Sequence, residues 1–167
     1  MNHLVISCIG PDRTGIVDSL STIINDHNGN WQVSSLHHLS SFFAGVIEVT
    51  VDEKDTQALM DDLKNIEGLN CQMALADPNL SQVNSNLVLE LTANDRAGIV
   101  KEVSSVIHHQ GGNLIKLVSS QSSAPYSGQL MFNAKVQVAM NEDNLDDLID
   151  ALEHIADDLM VDITKPS

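Results

Sequence analysis

The sequence predicts an α+β chain made of one βαββαβ unit written twice, each unit an antiparallel sheet with its helices on one face. Three observations carry that prediction. Two stretches repeat at a fixed offset: Leu4 to Val17 reads LVISCIGPDRTGIV and Leu87 to Val100 reads LVLELTANDRAGIV. The repeated identities fall at turn and helix-start positions as well as at apolar ones. Each copy then runs through the same alternation of strand-like and helix-like patterns.

The elements follow in order. His3 to Ile9 and Asn86 to Leu91 are β-rich runs bounded by Gly10-Pro11 and Asn94-Asp95. Ile16, Leu20, Ile23 and Ile24 recur at helical spacing, as do Ile99, Val103, Val106 and Ile107. Gly29 and the Gly111-Gly112 pair are expected to end these helices in left-handed caps. Two strand-like segments come next, Asn30 to Leu39 and Phe43 to Val51, matched by Asn113 to Gln121 and Gln129 to Ala139. A second helix shows Leu59, Met60, Leu63 and Ile66 on one stripe, and its counterpart Leu145, Leu148, Ile149, Leu152 and Ile155. Leu69, Cys71, Met73 and Leu75, then Leu159, Val161 and Ile163, alternate as closing strands. This order is the ferredoxin-like unit. The expected boundaries are a first domain over 1–77, a short polar linker over 78–84 and a second domain over 85–167. Val5 and Ile9 alternate with Leu4, Ile6 and Cys8, so both faces of the first strand are apolar. That pattern predicts a sheet covered on both sides by another domain or subunit, and hence a possible homo-oligomer built through sheet or helix faces.

Composition narrows the function. The chain has 23 acids against 8 Lys plus Arg, a formal net charge of −15. Direct binding to nucleic acid or to an anionic membrane needs clustered cations, and none are present in the sequence. Cys8 and Cys71 lack metal or redox-motif spacing and are expected as small core residues in a reducing compartment. No basic and apolar leader pattern opens the sequence, and no apolar run approaches roughly 18 residues. The expected address is the cytoplasm.

Candidate chemistry gathers at the strand-to-helix turns. Asp12, Arg13, Thr14, Gly15 and Ile16 form one turn, and Asp95, Arg96, Ala97, Gly98 and Ile99 the other. The first turn of a helix offers unpaired N–H groups and partial positive charge, a natural seat for a carboxylate. Gly15 and Gly98 would let a ligand approach the backbone. Asp12 and Asp95 are candidate partners for an ammonium group, and Asn30 and Asn113 are expected beside the same turns. Against this stands a purely structural reading: Asp before a helix is an ordinary N-cap, and Gly-Asn after one is an ordinary turn.

The DRxGIV turn, the helix after it, the Gly-Asn opening of the next strand and the six-element order resemble the ACT domain family. The resemblance covers nearly the whole chain as two copies. It implies amino-acid binding in the service of metabolic regulation. Serine-binding members use an Asn in the turn and an Asn at the next strand; here the former position holds Asp12 and Asp95, the latter Asn30 and Asn113. A His found two residues before the turn Asn is replaced by Gly10 and Ala93.

The tandem arrangement, with Gly29-Asn30 and Ser34-Ser35-Leu36 in the first half, is similar to the family of glycine cleavage system transcriptional repressors. That resemblance implies a glycine sensor that binds an activator protein and does not touch DNA. The alternative is a regulatory subunit that gives a metabolic enzyme amino-acid feedback. No catalytic motif is present in the sequence, so an enzyme is not expected, and neither is a cofactor. His37-His38 lie on opposite faces of a strand and His108-His109 diverge on a helix, so no metal is expected either. The acidic second helices read as solvated faces, or as a docking surface for a basic partner.

Overall fold

The computed structural model describes residues 1–80 and 82–164. The chain divides into two compact units, Met1–Ser81 and Gln82–Ser167. Ser81 of the expected linker, and residues 165–167 of the expected second domain, lie outside the described residues.

The first unit comprises β1 (Asn2–Pro11), α1 (Ile16–Asp26), β2 (Asn30–Leu39), β3 (Phe42–Val51), α2 (Glu53–Lys64) and β4 (Asn70–Leu75). The second comprises β5 (Leu87–Asn94), α3 (Ile99–His109), β6 (Asn113–Ser123), β7 (Leu130–Ala139), α4 (Leu145–Glu153) and β8 (Met160–Thr164), with a 3-10 turn at Glu142–Asn144. The strand orders are β2-β3-β1-β4 and β6-β7-β5-β8. All the pairings are antiparallel. Each is the βαββαβ arrangement the repeat predicts.

Alternation along the strands builds each core. Leu4, Ile6 and Cys8 of β1 are buried with Leu20 and Ile24 of α1 and Leu59 and Leu63 of α2. Leu87, Leu89 and Leu91 of β5 are buried with Val103 and Ile107 of α3 and Leu148 and Leu152 of α4. Each such aliphatic side chain contributes about 1.5–3 kcal/mol on leaving water. On the sheet face away from the helices, Val5 is 42% and Ile9 51% exposed.

The expected glycine cap of the first helix is corrected. The left-handed residue after α1 is Asn28 (φ 56°), whereas Gly111 (φ 78°) takes that role after α3. Asn is the side chain that best tolerates this region. Gly29 and Gly112 are needed for space. A Cβ there would stand 2.9 Å from the Ile24 side chain, or 2.8 Å from that of Ile107.

Gly10 is tighter still, since a Cβ would meet the Gly68 carbonyl oxygen at 2.1 Å. The second unit carries Ala93, fully buried, at the matching position. Gly10→Ala should therefore lower unfolding stability of the first unit by about 1–3 kcal/mol, measured by denaturant titration.

Burial also pushes the Cys71 thiol up to about 11, with the neighbouring Cys8 adding to the shift. The native state thus keeps a proton that the unfolded chain loses near its ordinary value of about 8.5. Stability should fall as pH rises from there to about 11. Thermal unfolding across that range should show a shallower fall for Cys71→Ala than for the unsubstituted protein.

Candidate functional site

Each central strand runs straight into the turn that starts a helix. The turning residue is Gly15 (φ 85°) in one unit and Gly98 (φ 86°) in the other, both left-handed. A side chain at either position would be strained although the space around it is open. No side chain caps either helix start. The N-cap role expected for Asp under the purely structural reading therefore falls to glycine, and the first-turn N–H groups have no side-chain acceptor.

The turn aspartates are engaged elsewhere. The Asp12 backbone N–H donates to the Ser41 carbonyl (3.0 Å) and that of Asp95 to the Leu130 carbonyl (2.9 Å). The Asp12 carboxylate lies 2.8 Å from His38 Nδ1. The Asp95 carboxylate accepts from the Gln121 side-chain amide. His38 and Gln121 hold matching positions on β2 and β6, so each unit ties its turn to its edge strand with a different side chain. The expected ammonium partner is thus already hydrogen-bonded within the unit.

The arginines are braces. Arg13 donates to the Glu67 carbonyl (3.2 Å) and Arg96 to the Ile155 carbonyl (3.5 Å), each reaching the turn before the closing strand. Arg96 also donates to the Glu102 carboxylate, which holds that carboxyl below its ordinary range. The Asn94 N–H donates to the Asp158 carboxylate (2.6 Å), closing the same corner. Ile16 and Ile99 are buried in the cores of their units. Thr14 and Ala97 are exposed on the turn.

The register separates the asparagines from these turns. Asn30 pairs with Thr50, as His3 does at the start of β1, while Leu39 and Pro11 both pair with Phe42. Asn30 and Asp12 therefore sit at opposite ends of one sheet, on the order of 25 Å apart at the usual rise per residue. Asn113, paired with Ala139, stands in the same relation to Asp95. The expectation that amide and turn flank one ligand within a unit is corrected. β1 and β2 run in the same direction on either side of β3, so the start of β2 lies level with the start of β1 and far from its end.

Two depressions mark these ends. One of about 470 Å³ opens at Gly98 and is bordered by Lys101, Glu102, Ser105, Val106 and Ile155. Another of about 480 Å³ includes Asn30, with Ser21, Thr22, Asn25 and Trp31. The first-turn residue matching Lys101 in the first unit is Asp18. The first turn of α1 thus carries one acid, whereas that of α3 carries Lys101 beside the acidic Glu102. Sequence reading missed Lys101, Glu102, His38 and Gln121. The offset that pairs Asp12 with Asp95 also pairs His38 with Gln121. Among the described residues, no group of three or more His, Cys, Asp or Glu side chains is placed to hold a metal ion.

A family model for the ACT domain matches residues 2–73. That match spans nearly the whole first unit. The second unit repeats its element order and strand order, so the chain has a tandem ACT fold. A UPF0237 protein of Methanopyrus kandleri is 38% identical over 55 residues, which is 33% of this chain and 61% of that relative. The crystal structure of an unknown protein from Galdieria sulphuraria matches 99% of this chain and 99% of its own, with TM-score 0.82 and 24% identity. A protein provisionally named glycine cleavage system transcriptional repressor matches over 99% of this chain and 98% of its own, with TM-score 0.70 and 19% identity. Among the described residues, no helix of either unit is long and apolar enough to cross a membrane.

Replacing the left-handed glycines should strain both turns alike. Gly15→Ala and Gly98→Ala should each cost about 1 kcal/mol. Arg96→Gln removes a brace and should release the turn before β8, read as faster amide exchange at Leu159 and Met160.

Proposed function

We propose that this protein is a non-enzymatic, amino-acid-responsive regulator that represses glycine cleavage genes by binding an activator protein, with glycine as the ligand. The observation that carries the reading is the uncapped start of α3 at Gly98, beside the cationic Lys101 and the braced Arg96. Three first-turn N–H groups, the positive end of the helix and a lysine favour a small carboxylate there, while the neighbouring Glu102 carboxylate is paired with Arg96. The depression is shallow, which suits a ligand with few atoms. The start of α1, with Asp18 in its first turn, is the weaker position. Asn30 and Asn113 are proposed as contacts only for a ligand at the other end of each sheet.

Glycine comes from the tandem fold shared with the protein provisionally named as a glycine cleavage repressor. Charge supports the indirect route. A net charge of −15 opposes DNA binding, whereas an activator that grips DNA must present a basic surface this chain can meet.

Calorimetry with glycine, serine and a panel of other amino acids tests the ligand. Glycine should bind, and Lys101→Asp, which installs the charge found at Asp18, should weaken it at least roughly tenfold. Heat with no amino acid at all would sink the sensor reading. Capture from native lysate should bring down a transcriptional activator of glycine catabolism; a metabolic enzyme in its place would favour the role of a regulatory subunit.

A further inference from the structure

Cys8 of β1 and Cys71 of β4 stand directly opposite each other in the sheet register. Both face the helix-covered side, where they are 4% and 7% exposed, and both are free thiols. Opposed residues of an antiparallel pair have Cα atoms roughly 4.5–5.5 Å apart. A disulfide spans about 4.4–6.8 Å. The second unit fills the matching positions with Leu91 opposite Val161. Packing is thus satisfied there by two aliphatic side chains, and the thiol pair belongs to the first unit alone.

The pair also sits at a mechanically important place. Two residues after Cys8, Gly10 packs against the Gly68 carbonyl. Arg13 donates to the neighbouring Glu67 carbonyl. A bond between Cys8 and Cys71 would fasten the edge strand at the end where it meets the start of the first helix.

We propose that Cys8 and Cys71 are a redox-responsive dithiol, which a low-molecular-weight disulfide such as oxidised glutathione converts into a cross-strand disulfide that locks β4 to β1. One cysteine thiolate attacks a sulfur of the small disulfide, breaks its S–S bond and releases one small thiol. The second cysteine thiolate then attacks the protein sulfur of the mixed disulfide and releases the other small thiol. Two protein S–H bonds are lost and one S–S bond forms. The two small thiols carry away the electrons and protons. Cys71 lies one residue inside the short edge strand and is reached when that strand opens. Burial of both thiols keeps the exchange slow and ties its rate to that opening.

The test uses the full chain, incubated with glutathione buffers from reducing to oxidising and read by intact mass, peptide mapping and amide exchange. The expected product has lost two hydrogen atoms, maps to a Cys8–Cys71 peptide, and is absent from Cys8→Ala and Cys71→Ala. Its β4 amides should exchange at least roughly tenfold more slowly than in the dithiol, with β8 unchanged. A chain that stays a dithiol at every poise, or accumulates only mixed disulfides with glutathione, overturns the proposal. So does a disulfide that leaves β4 exchange unaltered. None of these outcomes depends on whether an amino acid binds.

Discussion

A single glycine in the left-handed conformation joins each central strand to its first helix, and the functional geometry of each unit depends on it. With any other residue the chain would need strain to turn there, and with a capping side chain the helix start would already be satisfied. Glycine instead delivers the chain into the helix with its first amides free of side-chain acceptors. Everything else in the corner fixes that turn in place. An aspartate is tied to the edge strand, an arginine is anchored on the opposite turn, and an isoleucine is sunk in the core.

This division of labour recasts the DRxG signature. Its charged residues look like ligand contacts in the sequence, and in the fold they are mostly braces. Asp12 and Asp95 have partners of different chemistry, His38 and Gln121, at one structural position. That exchange shows what the position requires: a side chain able to hold a carboxylate, whether charged or neutral. The units also differ in the first turn of the helix, where Asp18 in one stands at the position of Lys101 in the other. Duplication kept the scaffold and changed the charge pattern at the helix start.

Much of the fold is legible in the sequence. The repeat at Leu4 and Leu87, the helical stripes and the alternating strands name every element, because burial on one face imposes a period that survives in the residues. The glycine caps were half legible. Gly29 resembles a cap, but its reason is the lack of room beside Ile24, and the left-handed work falls to Asn28. Steric crowding from a residue close in space leaves no periodic trace. The strand-to-helix turns were legible, and the level of the asparagines in the sheet was not. Pattern gives the order of elements but not which ends of two parallel strands share a level. The β1–β3 and β2–β3 registers settle that and put Asn30 far from Asp12.

The most direct test of the account is an amide-resonance titration of the full-length, isotopically labelled chain with glycine. Saturable shifts should centre on the backbone N–H groups of Ile99, Val100 and Lys101, with weaker or no response at Ile16 and Val17. Binding that leaves the amides of Ile99 to Lys101 unmoved would contradict the claim that the uncapped helix start receives the ligand carboxylate.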